Sequence, residues 1–259
     1  MSHLTCLCLT IRDEERIYSV PHDTYLSSGV LHLIAFIRSV IREAAVHSSF
    51  ASGRGAALCV SGDAGGDPAY ILYDTKSILR DLTDIVGRAR EDESTDVDDL
   101  VTKSFQNNIL GFISLGGGCD GAHEVKMSAA KKGYGPLMYD IAMSVSPGGI
   151  MADRNNVTGA AQGIWRKYLS LGSGVHGRVS AKKLDGKKCK LAHDPALNHS
   201  YSAETPLSLD PLRSSHASFL KSAHEILRLQ GYKESAIEHR IWSAGSYFFD
   251  EAYMNSVEP

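Results

Sequence analysis

The chain has 259 residues, of which 43% are hydrophobic and 22% charged, with a net charge of -3. Those values lie outside the disordered, collagen-like and coiled-coil classes. The small acidic balance excludes a globally cationic nucleic-acid binder. No apolar run approaches the roughly 18–20 residues of a membrane span; Val30 to Val40, the longest candidate, is broken by His32 and Arg38. Met1 to Ile11 is apolar, uncharged and followed by acidic residues, so it does not read as a signal peptide. The five cysteines (Cys6, Cys8, Cys59, Cys119 and Cys189) are odd in number and widely spread. That usage fits free thiols in a reducing cytosol; two disulfides with one spare thiol is the alternative.

In chain order, Leu4 to Ile11 alternates like a strand and is interrupted by Asp13, Glu14 and Glu15. Leu26 to Val46 places apolar residues at helical spacing, with Ser27 or Ser28 as cap. Ala57 to Val60 and Tyr70 to Tyr73 flank a Gly/Asp-rich turn and read as strand–turn–strand. Lys76 to Arg90 is an amphipathic helix. Glu91 to Leu100 holds six acidic residues in ten and reads as a solvated loop. Ile109 to Leu115 and His123 to Met127 flank Gly116-Gly-Gly-Cys-Asp-Gly121 and form a second strand–turn–strand unit. Gly133 to Val145 is a helix, Gly149 to Ala152 a short strand, and Asn156 to Leu169 a helix with Asn155 or Asn156 as cap and Gly172 past its end. Gly172 to Pro211 shows little periodicity. Ser215 to Leu229 is a helix closed by Gly231, and a shorter helix runs from Glu234 to Ser243. Strands mixed with helices in this order predict an α/β (α+β) fold.

The segment that carries chemistry is His123-Glu-Val-Lys-Met-Ser-Ala-Ala-Lys-Lys-Gly-Tyr-Gly-Pro136 and the helix that follows. A strand runs out into a Gly-x-Gly turn and then into a helix with proline in its first turn. Gly133 and Gly135 let backbone N–H groups approach a ligand, the helix start adds partial positive charge, and Lys131 and Lys132 add full charges. A diphosphate is the natural ligand. The competing reading is a tight turn with two solvated lysines.

Over Ile109 to Leu169 the order and spacing resemble the GNAT superfamily of N-acetyltransferases. The run Ala130-Lys-Lys-Gly-Tyr-Gly135 stands where that family has its pyrophosphate loop, Arg/Gln-x-x-Gly-x-Gly/Ala. The strand Gly149 to Ala152 and the helix Asn156 to Leu169 follow in the family's order. The linked segments Gly133 to Ala142, Met151 to Val157 and Ile164 to Tyr168 also resemble a group of GNAT-like bacteriophage proteins, a likeness that specifies no activity. The resemblance implies a mixed central sheet flanked by helices over residues 1–172, with a mostly helical and irregular C-terminal extension over 173–259. It implies acetyl-CoA as co-substrate, held by Val125, Met127, Lys131, Lys132, Gly133, Tyr134 and Gly135. Direct attack of an amine on the thioester would need an oxyanion donor from Val125 to Met127 and a base, Glu124 or His123. Two positions depart from the family. Ala130 replaces the Arg/Gln of the loop. Trp165 stands where many members carry the tyrosine that protonates the leaving thiolate, which leaves Tyr168 as the substitute.

Weaker signals have other readings. Gly172-Ser-Gly-Val-His-Gly177 follows a helix and so lacks the strand context of a dinucleotide site. Cys189, His193 and His199 are zinc ligands by type but have no fourth partner at matching spacing, and no residue is assigned to a metal. Asp153-Arg154 either lines a crevice at a strand end or caps the next helix. The Arg178 to Lys190 run either attracts an acidic partner or is a solvated loop. The expected partners are an acyl-CoA and an amine acceptor, in the host cytoplasm. In the alternative reading the chain is a non-catalytic virion component or host-directed binder that meets a protein partner or assembles with itself, with neither membrane nor nucleic acid involved.

Overall fold

In the computed structural model, residues 11–13, 16–18, 55–61, 67–155, 157–174 and 177–257 are described. The chain divides into two units, Met1–Arg42 and Glu43–Pro259. In the first, β1 (Ile11–Asp13) and β2 (Arg16–Tyr18) form an antiparallel hairpin, with Ile11 opposite Tyr18 and Asp13 opposite Arg16. Of the strand expected over Leu4 to Ile11 only Ile11 is described, and it begins β1, which runs on through Asp13; the rest of that strand, and the helix expected over Leu26 to Val46, lie outside the described residues.

The second unit is a seven-stranded sheet with helices on both faces. Its strands are β3 (Ala56–Ser61), β4 (Ala69–Asp74), β5 (Ile109–Gly117), β6 (His123–Ala130), β7 (Ile150–Ala152), β8 (Val179–Lys183) and β9 (His199–Ala203). Their order is β3-β4-β5-β6-β7-β9-β8. Every neighbouring pair is antiparallel except β6–β7. The mixed α+β class follows, as the alternation of elements predicts.

Side-chain alternation divides the core in two. Leu58, Tyr70, Leu72, Ile113 and Leu115 face one side, against α3 (Gly135–Ser144) and α4 (Gly159–Leu171). Cys59, Ile71, Tyr73 and Phe112 face the other, against α1 (Thr75–Glu91), α2 (Val97–Asn107), α5 (Asp210–Leu227) and α6 (Glu234–Val257). A sheet covered on both faces needs strands that are apolar throughout. This explains why β5, buried over its first eight residues, shows no polar alternation. α6 lies close enough on β4 that a Cβ at Gly245 would sit 2.5 Å from Ile71 Cδ1.

Several sequence expectations change. Glu91 to Leu100 is only half loop, over Asp92 to Asp96: Asp96 caps α2 by accepting from the Asp99 N–H, and Asp98 and Asp99 occupy its first turn, where carboxylates complement the helix dipole. Thr158, not Asn155 or Asn156, caps α4. The helix expected to end at Ser243 continues to Val257. Gly172 to Pro211 contains β8 and β9, and α5 and α6 pack on the same sheet. The elements after residue 172 thus add two strands to the sheet and two helices to one of its faces. Cys119 and Cys189 form a disulfide that ties the β5–β6 turn to the segment after β8, so these two are not free thiols; Cys59 is free, and Cys6 and Cys8 lie outside the described residues. The same bond removes Cys189 as a zinc ligand. Among the described residues, no helix is long and apolar enough to cross a membrane.

Candidate functional site

β6 and β7 pair over only three residues, His123 to Val125 against Ile150 to Ala152, and then part. Two local features explain the parting. Lys126 is an extra residue opposite β5, since Ser114 faces Met127 while Leu115 faces Val125, and such a bulge bends its strand. Beyond Ala152 the chain turns away, and the Arg154 N–H donates to Glu124 Oε1 at 2.7 Å. The gap between the strands is a cleft of about 330 Å³, a volume suited to a small organic ligand.

One wall is β6 from Val125 to Ala130. The opposite wall is Asp153, Val157 and Thr158 with the first turn of α4. Met138, Tyr139, Ile164 and Trp165 close one end of the gap, and Phe249 and Ala252 of α6 the other. The β6 wall is not covered by a neighbouring strand. The Lys131 N–H donates to Leu110 O, which fixes which rungs of the β5–β6 ladder are hydrogen-bonded. Alternation then pairs Ala129 and Met127 with β5, and turns the main-chain N–H and C=O of Ser128 and Ala130 to the cleft.

The Gly-x-Gly turn opens α3 at the rim. Gly133 has φ of +97°, which a side chain disfavours. Gly135 lines the cleft, and a Cβ there would meet nothing closer than Ile164 Cδ1 at 3.9 Å. First-turn N–H groups of α3 and α4 have no intrahelical acceptor, so two positive helix ends border one cavity. Tyr134 stands at the cap position of α3 and packs on the core; burial raises its phenol above the usual range. Lys132 is exposed. Lys131 turns elsewhere: its ammonium donates to Asn107 O at 2.5 Å, capping the C-terminus of α2, and burial lowers its pKa.

The expected catalytic groups are not brought together in the cleft. Glu124 is 6% exposed, and its carboxylate is held by Lys126 Nζ at 2.8 Å and by the Arg154 N–H. The Glu124 hydrogen bond raises the Lys126 pKa. His123 lies at the opposite end of β6, with Nδ1 3.0 Å from Ser146 Oγ. Tyr168 is buried behind Trp165, and its hydroxyl donates to Asp140 Oδ1 at 3.3 Å. Of the expected ligand-binding residues, Val125, Met127 and Gly135 line the cleft.

Sequence reasoning missed Ser128 and Tyr139, whose hydroxyls lie 3.0 Å apart on the cleft wall. Burial raises the Tyr139 phenol above its usual range, with the Ser128 hydrogen bond opposing. The alternation of β6 could have pointed to Ser128; nothing local marks Tyr139. Asp153 lines the cleft as a strand-end residue should, whereas Arg154 donates to the carbonyls of Ala152 and Leu197. Compared with known proteins, the chain matches no family model, no curated protein and no solved structure.

Proposed function

We propose that the chain binds an acyl-CoA in the cleft between β6 and β7 and transfers its acyl group to an amine. The observation that carries this is the parting of the two parallel strands beside two helix N-termini. An extended ligand with amides can add to the Ser128–Ala130 edge as a strand would. An anionic group at its far end meets the first turn of α3. The apolar floor of Met138, Ile164 and Trp165 suits an acyl chain or thioester. Those three features match the parts of acyl-CoA in order, and Val125, Met127 and Gly135 of the residues implied by the GNAT resemblance line the same cleft.

In the transfer, the amine nitrogen bonds to the thioester carbon, the carbon–sulfur bond breaks, and the sulfur takes a proton. The Ser128 N–H, rather than that of Met127, is the oxyanion donor, because Met127 pairs with Ser114. Asp153, which lines the cleft while its Oδ1 accepts from the Asn155 N–H, is the base in place of Glu124 and His123. The Ser128 hydroxyl gives a proton to the thiolate as the Tyr139 phenol gives one to Ser128, and the proton that Asp153 takes from the amine returns to Tyr139 through water, which closes the balance.

A second reading is supported by the commitment of Glu124, His123 and Tyr168 to structural hydrogen bonds. In it the same cleft binds a ligand without turnover, and the chain serves as a phage virion component or a host-directed binder. Incubation with acetyl-CoA and a panel of small and peptidic amines separates the two. Release of free CoA thiol dependent on one amine supports transfer. Binding without release supports the second reading. Absence of acetyl-CoA binding overturns the transfer reading.

A further inference from the structure

On the sheet face covered by α1, α2, α5 and α6, three elements bring unlike donor groups to one point. Cys59 extends from β3, His216 from α5 and Glu238 from the second turn of α6. The Cys59 sulfur, a His216 ring nitrogen and a Glu238 carboxylate oxygen lie within 4.8 Å of one another. His216 Nε2 is 3.7 Å from Glu238 Oε1, and His216 Nδ1 is 2.7 Å from Tyr73 Oη. Tyr73 sits on β4 opposite Ala57, so it flanks Cys59 on the same sheet face.

We propose that Cys59, His216 and Glu238 form a site for a divalent transition metal of borderline softness, Zn²⁺ being the natural occupant, with a fourth position left to water or another ligand. Tetrahedral zinc holds S, N and O donors about 2.0–2.3 Å from the metal, which puts the donors roughly 3.3–3.8 Å from each other. The observed separations close to that range with movements below about 1 Å. The Tyr73 hydroxyl, 2.7 Å from Nδ1, is placed to serve a metal-binding imidazole on its other nitrogen: in the tautomer with Nδ1–H it accepts that proton and leaves the Nε2 lone pair for the metal.

Chemistry selects the metal class. A thiol with imidazole and a single carboxylate is a poor set for Mg²⁺ or Ca²⁺, which require several oxygens, and a good one for Zn²⁺ or Co²⁺. A buried, free thiol must ionise before its sulfur can bind a metal. Binding therefore displaces one proton: the Cys59 S–H bond breaks, the metal–sulfur bond forms, and the proton leaves to solvent. The dication, thiolate, carboxylate and neutral imidazole then sum to zero charge, which a half-buried position tolerates. Cys59 closes the inner side, and the Glu238 side chain, 49% exposed, marks the way in from solvent.

The test is Co²⁺ titration of the full chain after chelator treatment, without reductant so that Cys119–Cys189 stays closed, in a Cys6→Ala/Cys8→Ala background. The expected result is a near-ultraviolet thiolate-to-cobalt band that saturates at one equivalent and is displaced by Zn²⁺. Cys59→Ala removes the band. Glu238→Gln, at an exposed position that does not threaten folding, and Tyr73→Phe each weaken Co²⁺ binding by about tenfold or more. Circular dichroism checks that each variant is folded. No band in the folded parent, or undiminished affinity in folded Cys59→Ala or Glu238→Gln, overturns the proposal.

Discussion

Ser128 Oγ and Tyr139 Oη lie 3.0 Å apart, the serine on the β6 edge that β7 leaves uncovered and the tyrosine on the helix that Gly135 opens. The pair joins the cleft wall to the core. If it relays the proton to the departing thiolate, Tyr139→Phe lowers kcat by a factor of about 10²–10⁴ and leaves KM for acyl-CoA nearly unchanged. Steady-state kinetics check this; an equal loss in binding would reassign Tyr139 to ligand packing.

Burial makes several phenols reluctant to ionise. Tyr73, Tyr139 and Tyr201 are all raised above the ordinary tyrosine value, chiefly by desolvation. An acid whose folded pKa is raised favours folding fully below the unfolded pKa, and that contribution is lost as pH rises past it. Stability therefore holds to about pH 10 and falls above it. Phenolate absorbance should rise in two stages, exposed tyrosines first and the buried ones together with unfolding. A single smooth titration would contradict the packing described.

Lys126 is the partner of a carboxylate with almost no solvent. Lys126→Met leaves Glu124 with the Arg154 N–H alone and destabilises by about 1–3 kcal/mol. Adding Glu124→Gln recovers part of that loss, since the buried charge is gone. Urea midpoints of the parent, the single variant and the double variant check the order; a neutral Lys126→Met contradicts it.

Two glycines in helices should respond with opposite signs. At Gly245 a Cβ would press on Ile71 Cδ1 at 2.5 Å, so Gly245→Val costs about 1–3 kcal/mol by overpacking. At Gly163 on α4 nothing lies within 4 Å, so Gly163→Ala stabilises by about 0.5–1 kcal/mol. Thermal melts of the two variants test whether α6 is seated on β4 as described.

What the sequence made legible depended on local signals. The paired runs Ala57 to Val60 and Tyr70 to Tyr73, and Ile109 to Leu115 with His123 to Met127, are strong β formers around Gly/Asp turns, and both became hairpins. β8 stayed hidden because Val179-Ser-Ala-Lys-Lys183 exposes four of its five residues and has no apolar alternation. It is a strand because β9 pairs with it, through Tyr201 opposite Ala181, and that partner lies far along the chain. The Asp/Glu-rich stretch misled for a related reason: charge density suggests solvent, but Asp96, Asp98 and Asp99 are the capping turn of a helix whose fully buried apolar residues, Val101 and Phe105, come only afterwards. At the site, Gly133 and Gly135 were readable because a turn constrains them. The roles of Lys131, Glu124 and Tyr168 were not. Their hydrogen bonds are to Asn107, Arg154 and Asp140, contacts that exist only once the sheet and helices have assembled.

Thermal unfolding with and without millimolar acetyl-CoA, on the parent and on Gly135→Trp, addresses the cleft most directly. A ligand that binds the folded state raises the midpoint by mass action. The account predicts an upward shift for the parent that grows with ligand concentration, and no shift for a folded Gly135→Trp, whose indole fills the space beside Ile164. A parent midpoint that does not move with acetyl-CoA, or an equal shift in the tryptophan variant, would contradict an acyl-CoA site between β6 and β7.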